Sequence, residues 1–393
     1  MLLRCLAIAL VGTFLSACSG RAAEDDASSP DDSTARAPAG APSVKGWNTD
    51  WTKSTIALSE LIRGIDAPDP REVIPALDNP KFESVAQASG WLDDREPVAV
   101  LELGGPSRAY PLRILTWHEI VNDEIAGIPV AVTYCPLCNS AVGFERRVDG
   151  QTLRFGVSGL LRNSDLVMWD KQTESLWQQI TGEAIVGGFA GNRLHVIPTP
   201  IVSWKDFRTA FSNGEVLSRD TGYGRAYGSN PYVSYDSQQQ PFLFDGKLDD
   251  RYPSMERVVG VTVGNQNKAY PFSVISEKKA VNDIVGGEPV AVLWGASDTA
   301  SALDTSSIPE GRAVGTGVAY LRTVDGMVLT FEPAGEDTFR DRETGSSWDL
   351  LGDARDGPLT GKKLEPAIHT NHLWFAWAAF NAEAPVYDGS EGP

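Results

Sequence analysis

Apolar residues recur along this chain in short runs whose spacing predicts β-strands more often than helices. Valine-rich runs that predict strands lie at 97–103, 128–134, 258–263 and 290–294. Apolar faces at helical spacing predict short helices at 114–124, 203–211 and 373–380. We therefore predict an α+β fold, predominantly antiparallel β-sheet with short helices. Neither the strand–helix alternation of parallel sheets nor a glycine-rich phosphate loop occurs in the sequence, so no nucleotide cofactor is expected.

Several motifs occur twice at one constant offset of 160 residues. Ala109-Tyr110-Pro111 returns as Ala269-Tyr270-Pro271, and Val121-Asn122-Asp123 returns as Val281-Asn282-Asp283. Such a constant register predicts an internally duplicated unit. The predicted organisation is a lead-in at 46–95, unit one at 96–217, a connector rich in Tyr, Gly and Pro at 218–255, and unit two at 256–388.

The start of the chain predicts export. Residues 1–17 place one arginine before a short apolar run, which is typical of a signal peptide. The segment Leu15-Ser16-Ala17-Cys18 resembles the lipobox of bacterial lipoproteins, so Cys18 is predicted to carry the lipid. Residues 18–45, rich in Ala, Ser, Asp and Pro, predict a flexible tether. We expect a lipid-anchored protein of the bacterial cell envelope that faces the periplasm or the exterior, with the membrane as its partner.

Charge narrows the range of other partners. The 393 residues include 34 Lys and Arg against 52 Asp and Glu, a net charge of −18. Because contacts to phosphate dominate nucleic-acid affinity, this balance opposes nucleic acid as a partner.

Two cysteines carry the chemistry that the sequence predicts. Cys5 leaves with the signal peptide and Cys18 is acylated, so Cys135 and Cys138 remain as thiols. A C-x-x-C pair in an oxidising envelope is a structural disulfide, a redox pair or a metal site. At the offset of 160 the sequence has Gly295 and Asp298 at these positions, so the thiols belong to unit one alone.

Histidines are the further ligands that the sequence offers. His118 precedes the strand that leads to Cys135, and unit two has Lys278 in its place. His369 and His372 have a spacing that can put both rings on one face of a helix. Two thiolates with imidazole suit copper or zinc. The alternative for each histidine is a helix residue that makes ordinary hydrogen bonds.

Unit one also contains extra residues that unit two lacks, around Arg162, Asn163, Ser164 and Asp165. If this loop covers the thiols, Arg162 stabilises a thiolate or an anionic substrate, while Asn163 and Ser164 donate hydrogen bonds. The alternative is a polar connection between two strands.

Four segments, TYCPLCNSAVGF, FGVSGLLRNSDLVMWDKQTESLWQQ, TGYGRAYGSNPY and HTNHLWFAWAAF, occur in this order. With them the chain resembles the bacterial family catalogued as domain of unknown function 3179, over essentially the whole body from about residue 46 to 388. The resemblance implies no particular activity. It supports the following residues as members of motif segments of that family: His118, Cys135, Cys138, Asn139, Arg162, Asn163, Ser164, Asp165 and His369.

Three functional hypotheses follow from these patterns. The first is binding of a soft metal ion, copper or zinc, by Cys135 and Cys138 with His118, and with His369 and His372 as additional ligands. The second is a thiol/disulfide redox protein. The third is a non-enzymatic binding module of the envelope that uses the tyrosine-rich connector and the interface between the two units.

Overall fold

The computed structural model describes residues 42, 44, 46–296 and 298–390, all of which belong to one compact unit. The predicted signal peptide at 1–17 and the predicted lipidation site Cys18 lie outside these residues, as does the tether apart from residues 42 and 44. None of the described helices is long and apolar enough to cross a membrane.

Strands make up most of the regular structure. Those in the first part of the chain are Ile62–Arg63 (β1), Leu77–Asp78 (β2), Phe82–Ser84 (β3), Pro97–Glu102 (β4), Ser107–Pro111 (β5), Ile120–Ile125 (β6), Ile128–Cys135 (β7), Ser140–Glu145 (β8), Arg147–Val148 (β9), Gln151–Thr152 (β10), Phe155–Arg162 (β11), Asp165–Asp170 (β12), Leu176–Gln178 (β13), Ala184–Val186 (β14), Val196–Ile197 (β15), Ile201–Ser203 (β16) and Glu215–Leu217 (β17). Those in the second part are Arg257–Val263 (β18), Gln266–Pro271 (β19), Ala280–Val285 (β20), Glu288–Gly295 (β21), Thr316–Leu321 (β22), Thr323–Val324 (β23), Met327–Val328 (β24), Phe331–Gly335 (β25), Thr338–Asp341 (β26), Ser347–Asp349 (β27), Ala354–Asp356 (β28), Glu365–Pro366 (β29) and Ile368–Leu373 (β30).

The helices are short. They are Val85–Ala88 (α1), Leu112–His118 (α2), Trp204–Ala210 (α3), Phe272–Lys278 (α4) and Trp374–Phe380 (α5), with single 3₁₀ turns at Leu58–Glu60, Tyr235–Ser237 and Ile308–Glu310. Local chemistry sets their ends. Ser203 caps α3 by accepting a hydrogen bond from the amide of Asp206 at 3.0 Å. Helix α2 ends where Glu119 adopts a left-handed conformation, with φ of 58°.

The strands form several mostly antiparallel sheets. Three sheets have five strands, in the orders β1-β11-β12-β13-β14, β15-β8-β7-β6-β2 and β16-β4-β5-β17-β3. The later strands form β19-β18-β30, β20-β21-β22-β29 and β25-β26-β27-β28, and two hairpins stand apart as β9-β10 and β23-β24. Only β2 with β6 and β5 with β17 pair in parallel among the described strands. The predicted strand-rich, mostly antiparallel fold is confirmed, and the internal duplication stays a prediction.

The four predicted strands lie in β4, β7, β18 and β21, and the predicted helices at 203–211 and 373–380 correspond to α3 and α5. The helix predicted at 114–124 is wrong in its second half, because residues 120–125 form β6 and pair with β7. Ile120 and Val121 are β-branched and complete an apolar run that suits either periodicity. The left-handed conformation of Glu119 ends the helix, so the residues that follow it form a strand.

Buried side chains from both predicted units share one core. Val98 and Trp204 belong to the same apolar cluster as Leu293 and Trp348. A second cluster contains both cysteines together with Trp177, Leu373 and Phe375. The thiols therefore lie inside the core.

Candidate functional site

The two cysteines occupy the tip of the hairpin formed by β7 and β8. Cys135 is the last residue of β7 and pairs with Ser140, the first residue of β8. The amide of Cys138 donates to the carbonyl of Cys135 at 3.2 Å, and Asn139 closes the loop with a φ of 50°. Cys135 is 2% exposed and Cys138 is 0% exposed. This turn holds both sulfurs on one side of the loop, away from solvent.

A second hairpin, formed by β11 and β12, meets the first. Arg162 pairs with Asp165, so the turn between them consists of two residues, Asn163 and Ser164. Both have positive φ, 51° and 65°, as a tight type I′ hairpin requires. The carbonyl of Ser164 lies 3.9 Å from Sγ of Cys135 and 3.7 Å from Sγ of Cys138. The turn thus covers the pair of thiols.

The carboxyl group of Asp165 completes the cluster. Its Oδ2 accepts hydrogen bonds from Nε2 of Gln178 at 2.6 Å and from the amide of Ile180 at 3.0 Å. Its Oδ1 is buried and has no hydrogen-bond partner of normal geometry among the described residues. One ligand atom each of Cys135, Cys138 and Asp165 lie within 4.8 Å of one another. Three donors that suit a metal ion therefore converge, and the two thiols are the groups that face the remaining capacity of the carboxyl group.

Burial makes the ionised forms of these groups costly. It raises the pKa of the Cys135 thiol and raises that of Cys138 further. Burial also raises the pKa of Asp165 to about 6, against the hydrogen bonds from Gln178 and Ile180, which lower it. Glu119, 7% exposed, has a pKa raised to about 8 by burial and then by the charge of Asp165.

No ion pair compensates these acids. Among the residues that the structure describes, no Lys, Arg or His forms a salt bridge with Asp165 or Glu119. Two thiols and two carboxyl groups thus lie close together without a salt bridge to any residue that the structure describes.

The extra residues of unit one have different roles from those predicted. Asp165 joins the thiols, and Asn163 and Ser164 form the turn beside them. Arg162 does not face the sulfurs: its guanidinium pairs with Glu60 at 2.8 Å and lies over the ring of Phe380. The hydroxyl of Ser164 donates to the carbonyl of Phe242 at 2.6 Å, away from the thiols.

His118 does not enter the cluster. Its Nδ1 is 2.7 Å from the carbonyl of Pro75, so this nitrogen carries the proton. Its Nε2 is 2.6 Å from the hydroxyl of Tyr227, which therefore donates to it. Both ring nitrogens are occupied, and no lone pair is free for a metal ion. This position corrects the expectation that His118 is the third ligand.

His369 and His372 lie on β30, not on a helix, which corrects the predicted helical face. Residues three apart on a strand point to opposite sides of the sheet, so the two rings do not converge. Nδ1 of His369 bonds the carbonyl of Ala367 at 2.8 Å, and Nε2 of His372 bonds the hydroxyl of Thr370. Burial lowers their pKa values to about 4 and about 3. Both rings are neutral members of the core.

The last strand also closes over the cysteine loop. The amide of Leu373, at the end of β30, donates to the carbonyl of Cys138 at 2.8 Å. The strand β30 is thus bonded directly to the loop between β7 and β8, although more than 200 residues separate them in the sequence.

The connector supplies neighbours that the sequence analysis did not select. Tyr235, 4% exposed, belongs to the apolar cluster of the thiols, and Tyr232 packs against the same cluster. No local signal separates Tyr235 from the other connector tyrosines. Glu119 could have been found, because Lys279 occupies its position at the offset of 160.

Comparison with known families assigns the chain to one of them. A family model described as "Protein of unknown function (DUF3179)" matches residues 71–384, most of the chain. The chain belongs to this family. No curated protein and no solved structure matches it. The DUF3179 match spans the two cysteines, Asp165, the connector and β30, so the whole cluster lies within the family region.

Proposed function

We propose that the protein binds one soft metal ion, copper(I) or zinc(II), through Cys135, Cys138 and Asp165. The observation that carries the proposal is the buried group of two thiols and one carboxyl group, whose ligand atoms lie within 4.8 Å of one another. Oδ1 of Asp165 has no hydrogen bond to any described residue outside this group. A buried carboxyl oxygen that faces only weak S–H donors is poorly satisfied, and a cation is the partner that a carboxylate and two thiolates share. Asp165 replaces His118 as the third ligand.

The charge of the cluster supports a cation as its ligand. On binding, the two thiols and the carboxyl group lose their protons, because thiolate and carboxylate are the ligand forms. The ion supplies the positive charge that no ion pair provides to these residues. It would hold the β7–β8 loop against the β11–β12 turn.

The experiment is metal analysis of the full chain, purified without oxygen and titrated with copper(I) or zinc(II) against a competing chelator. We expect one ion per chain in the wild type and none in the Cys135→Ser, Cys138→Ser double variant. Asp165→Asn should weaken the affinity by about 10-fold or more while the chain stays folded, since the amide oxygen can still accept from Gln178 and Ile180.

Asp283→Asn is the matched control. Asp283 is a buried acid whose Oδ2 accepts from Tyr270 at 2.8 Å and from Lys268 at 2.6 Å, outside the thiol cluster. Its loss should lower stability without changing metal binding. Equal metal content in the wild type and in the double cysteine variant would overturn the proposal.

A thiol/disulfide redox function is the second candidate. Oxidation joins the two sulfurs and releases two protons and two electrons, the electrons passing to an external oxidant. The observation in its favour is the Asp165 carboxyl group beside both thiols, whose pKa of about 6 makes it a proton acceptor at neutral pH. Burial of both sulfurs counts against exchange with another protein. A reduction potential below about −300 mV, as in inert bridges, would exclude this function.

We also propose that the protein is attached to a membrane of the bacterial envelope. A lipid on Cys18 would anchor the body to the membrane, with residues 18–45 as a tether, in the bacterial envelope. The lipobox-like Leu15-Ser16-Ala17-Cys18 supports it. Mass spectrometry of the mature N-terminal peptide tests it, and Cys18→Ser should release the protein from the membrane fraction. An unmodified peptide that begins before Cys18 would contradict it.

We also propose that the chain contains two copies of one unit. The hydroxyl of Tyr110 donates to Asp123 at 2.6 Å, and at the offset of 160 the hydroxyl of Tyr270 donates to Asp283 at 2.8 Å. Equivalent bonds at equivalent positions support two copies of one unit. An experimental structure in which residues 96–217 do not superpose on 256–388 would exclude it.

A further inference from the structure

Among the connector side chains that pack on the thiol cluster, Tyr235 is held in a fixed position. Tyr235 opens a 3₁₀ turn, and its amide bonds the carbonyls of Leu303 and Tyr232, both at 3.0 Å. The next residue, Asp236, is fully buried and forms ion pairs with Arg257 at 2.7 Å and Arg312 at 2.8 Å. The ring of Tyr235 is therefore held by its backbone and by the clamp on its neighbour.

The hydroxyl of Tyr235 is unsatisfied in this position. The side chain is 4% exposed, and its oxygen has no hydrogen-bond partner among the described residues. Its polar neighbours, the Ser164 hydroxyl and the Phe242 carbonyl, bond each other at 2.6 Å. A buried hydroxyl without a partner costs free energy, so its retention points to a partner that appears only in another state.

The thiol cluster is next to this hydroxyl and offers two sulfur atoms as acceptors. Tyr235 shares an apolar cluster with Cys135 and Cys138, and the carbonyl of Ser164 contacts both sulfurs at 3.9 and 3.7 Å. Beyond burial, the charges of Cys138 and then Cys135 are the largest influences that raise the pKa of the Tyr235 phenol above its ordinary value. The hydroxyl and the two sulfurs thus flank the same turn.

We propose that Tyr235 is the hydrogen-bond donor that stabilises the thiolate of Cys138 or Cys135 once a metal ion is bound. This inference rests on the proposed function. A neutral thiol needs no donor, whereas a buried thiolate does, and the O–H group of a phenol donates to it without losing its proton. In this role Tyr235 is a positioning residue, because its hydroxyl would donate to a sulfur ligand and not bind the ion itself.

The substitution Tyr235→Phe tests this role because it removes only the hydroxyl. We expect the metal-free variant to be at least as stable as the wild type, since no hydrogen bond is lost. Its affinity for copper(I) or zinc(II) should fall by roughly 10- to 100-fold, as for other groups that support metal ligands. Cobalt(II), used as a coloured substitute for zinc, should show its sulfur-to-metal absorption band at longer wavelength, because a thiolate without its donor is easier to oxidise.

Tyr320→Phe is the matched control. Tyr320 is equally buried, and its hydroxyl donates to the carbonyl of Leu350 at 3.0 Å in a sheet of the second unit. That variant should lose stability and keep the metal affinity and the cobalt spectrum of the wild type.

The outcomes separate the two proposals. Wild-type affinity and an unshifted cobalt band in Tyr235→Phe would overturn the role of Tyr235 and leave the metal site standing. A loss of metal-free stability as large as that of Tyr320→Phe would also overturn it, because the hydroxyl would then have a partner without metal. Absence of metal binding in the wild type would overturn the proposed function, and this inference with it.

Discussion

Asp165 is a carboxylic acid in a buried position, where its ionised form is destabilised. Its carboxyl group has two donors on Oδ2, yet its pKa lies at about 6, above the ordinary 3.8. A carboxyl group whose folded pKa is raised stabilises the fold fully only below its unfolded pKa, and this contribution is lost as the pH rises through about 6. At neutral pH the ionised Asp165 carboxylate therefore lowers the free energy of unfolding of the metal-free protein.

Asp165→Asn should remove that cost. We expect the metal-free variant to be more stable than the wild type by about 2 kcal/mol at pH 7, with the advantage shrinking towards pH 4, where the wild-type carboxyl group is protonated. Urea unfolding of both proteins at the two pH values measures it. An advantage that does not depend on pH would contradict this account.

The contribution of His372 to stability depends on pH in the opposite direction. Its folded pKa of about 3 lies below the ordinary 6.5, so the unfolded chain takes up the proton first and stability falls as the pH drops below about 6.5. His372→Gln should therefore gain about 2 kcal/mol relative to the wild type between pH 7 and pH 5. His195→Gln, at an exposed histidine, is the control and should show no such change. Equal curves for wild type and His372→Gln would show that the ring titrates normally.

At the scale of elements, the site forms where two hairpin tips and one loop meet. The sequence predicted the strand that leads to Cys135, because it is rich in valine, and it singled out the extra residues near Asp165, because unit two lacks them. It did not predict that Arg162 turns towards Glu60, since those residues are distant in sequence and no periodicity links them. His369 and His372 were misplaced because a spacing of three suits one helical face and says nothing of a strand.

The connector depends on the clamp around Asp236. Asp236→Asn would leave Arg257 and Arg312 without their buried partner and should lower stability by about 3 kcal/mol. Asp304→Asn is the control, because Asp304 pairs with the same Arg312 at 3.2 Å in a more exposed position and should cost less than about 1 kcal/mol.

Hydrogen exchange locates the effect of that change. Protection should be lost first around Tyr235 in Asp236→Asn, because the turn no longer has its anchor. Uniform loss across all sheets would mean that Asp236 supports the whole fold and not the connector in particular.

At the scale of the whole molecule, the predicted units are not independent bodies. Val98 and Trp204 share a core with Leu293 and Trp348, and the described residues form one compact unit. Sequence repeats predicted two similar units, yet they could not reveal this shared core, because each repeat encodes its own strands and not the face on which its partner packs.

Residues 46–255 alone should therefore not fold. Without unit two, the apolar face around Val98 and Trp204 would be exposed to water, and β30 would no longer cover the cysteine loop. We expect poor dispersion in NMR spectra and rapid proteolysis of this fragment, whereas the full chain resists both. A well-dispersed spectrum of the fragment would show that unit one is autonomous.

The hydrogen bond between Leu373 and Cys138 joins a residue that is synthesised late to one that is synthesised early. A chain is made from its N-terminus, so both sulfurs exist long before β30 is available to cover them. During that interval they are open to oxidants and to ions, and once the strand docks they are sealed. We therefore expect an ion bound by the pair to exchange no faster than β30 detaches, and this opening rate sets the incubation time that the metal titration needs.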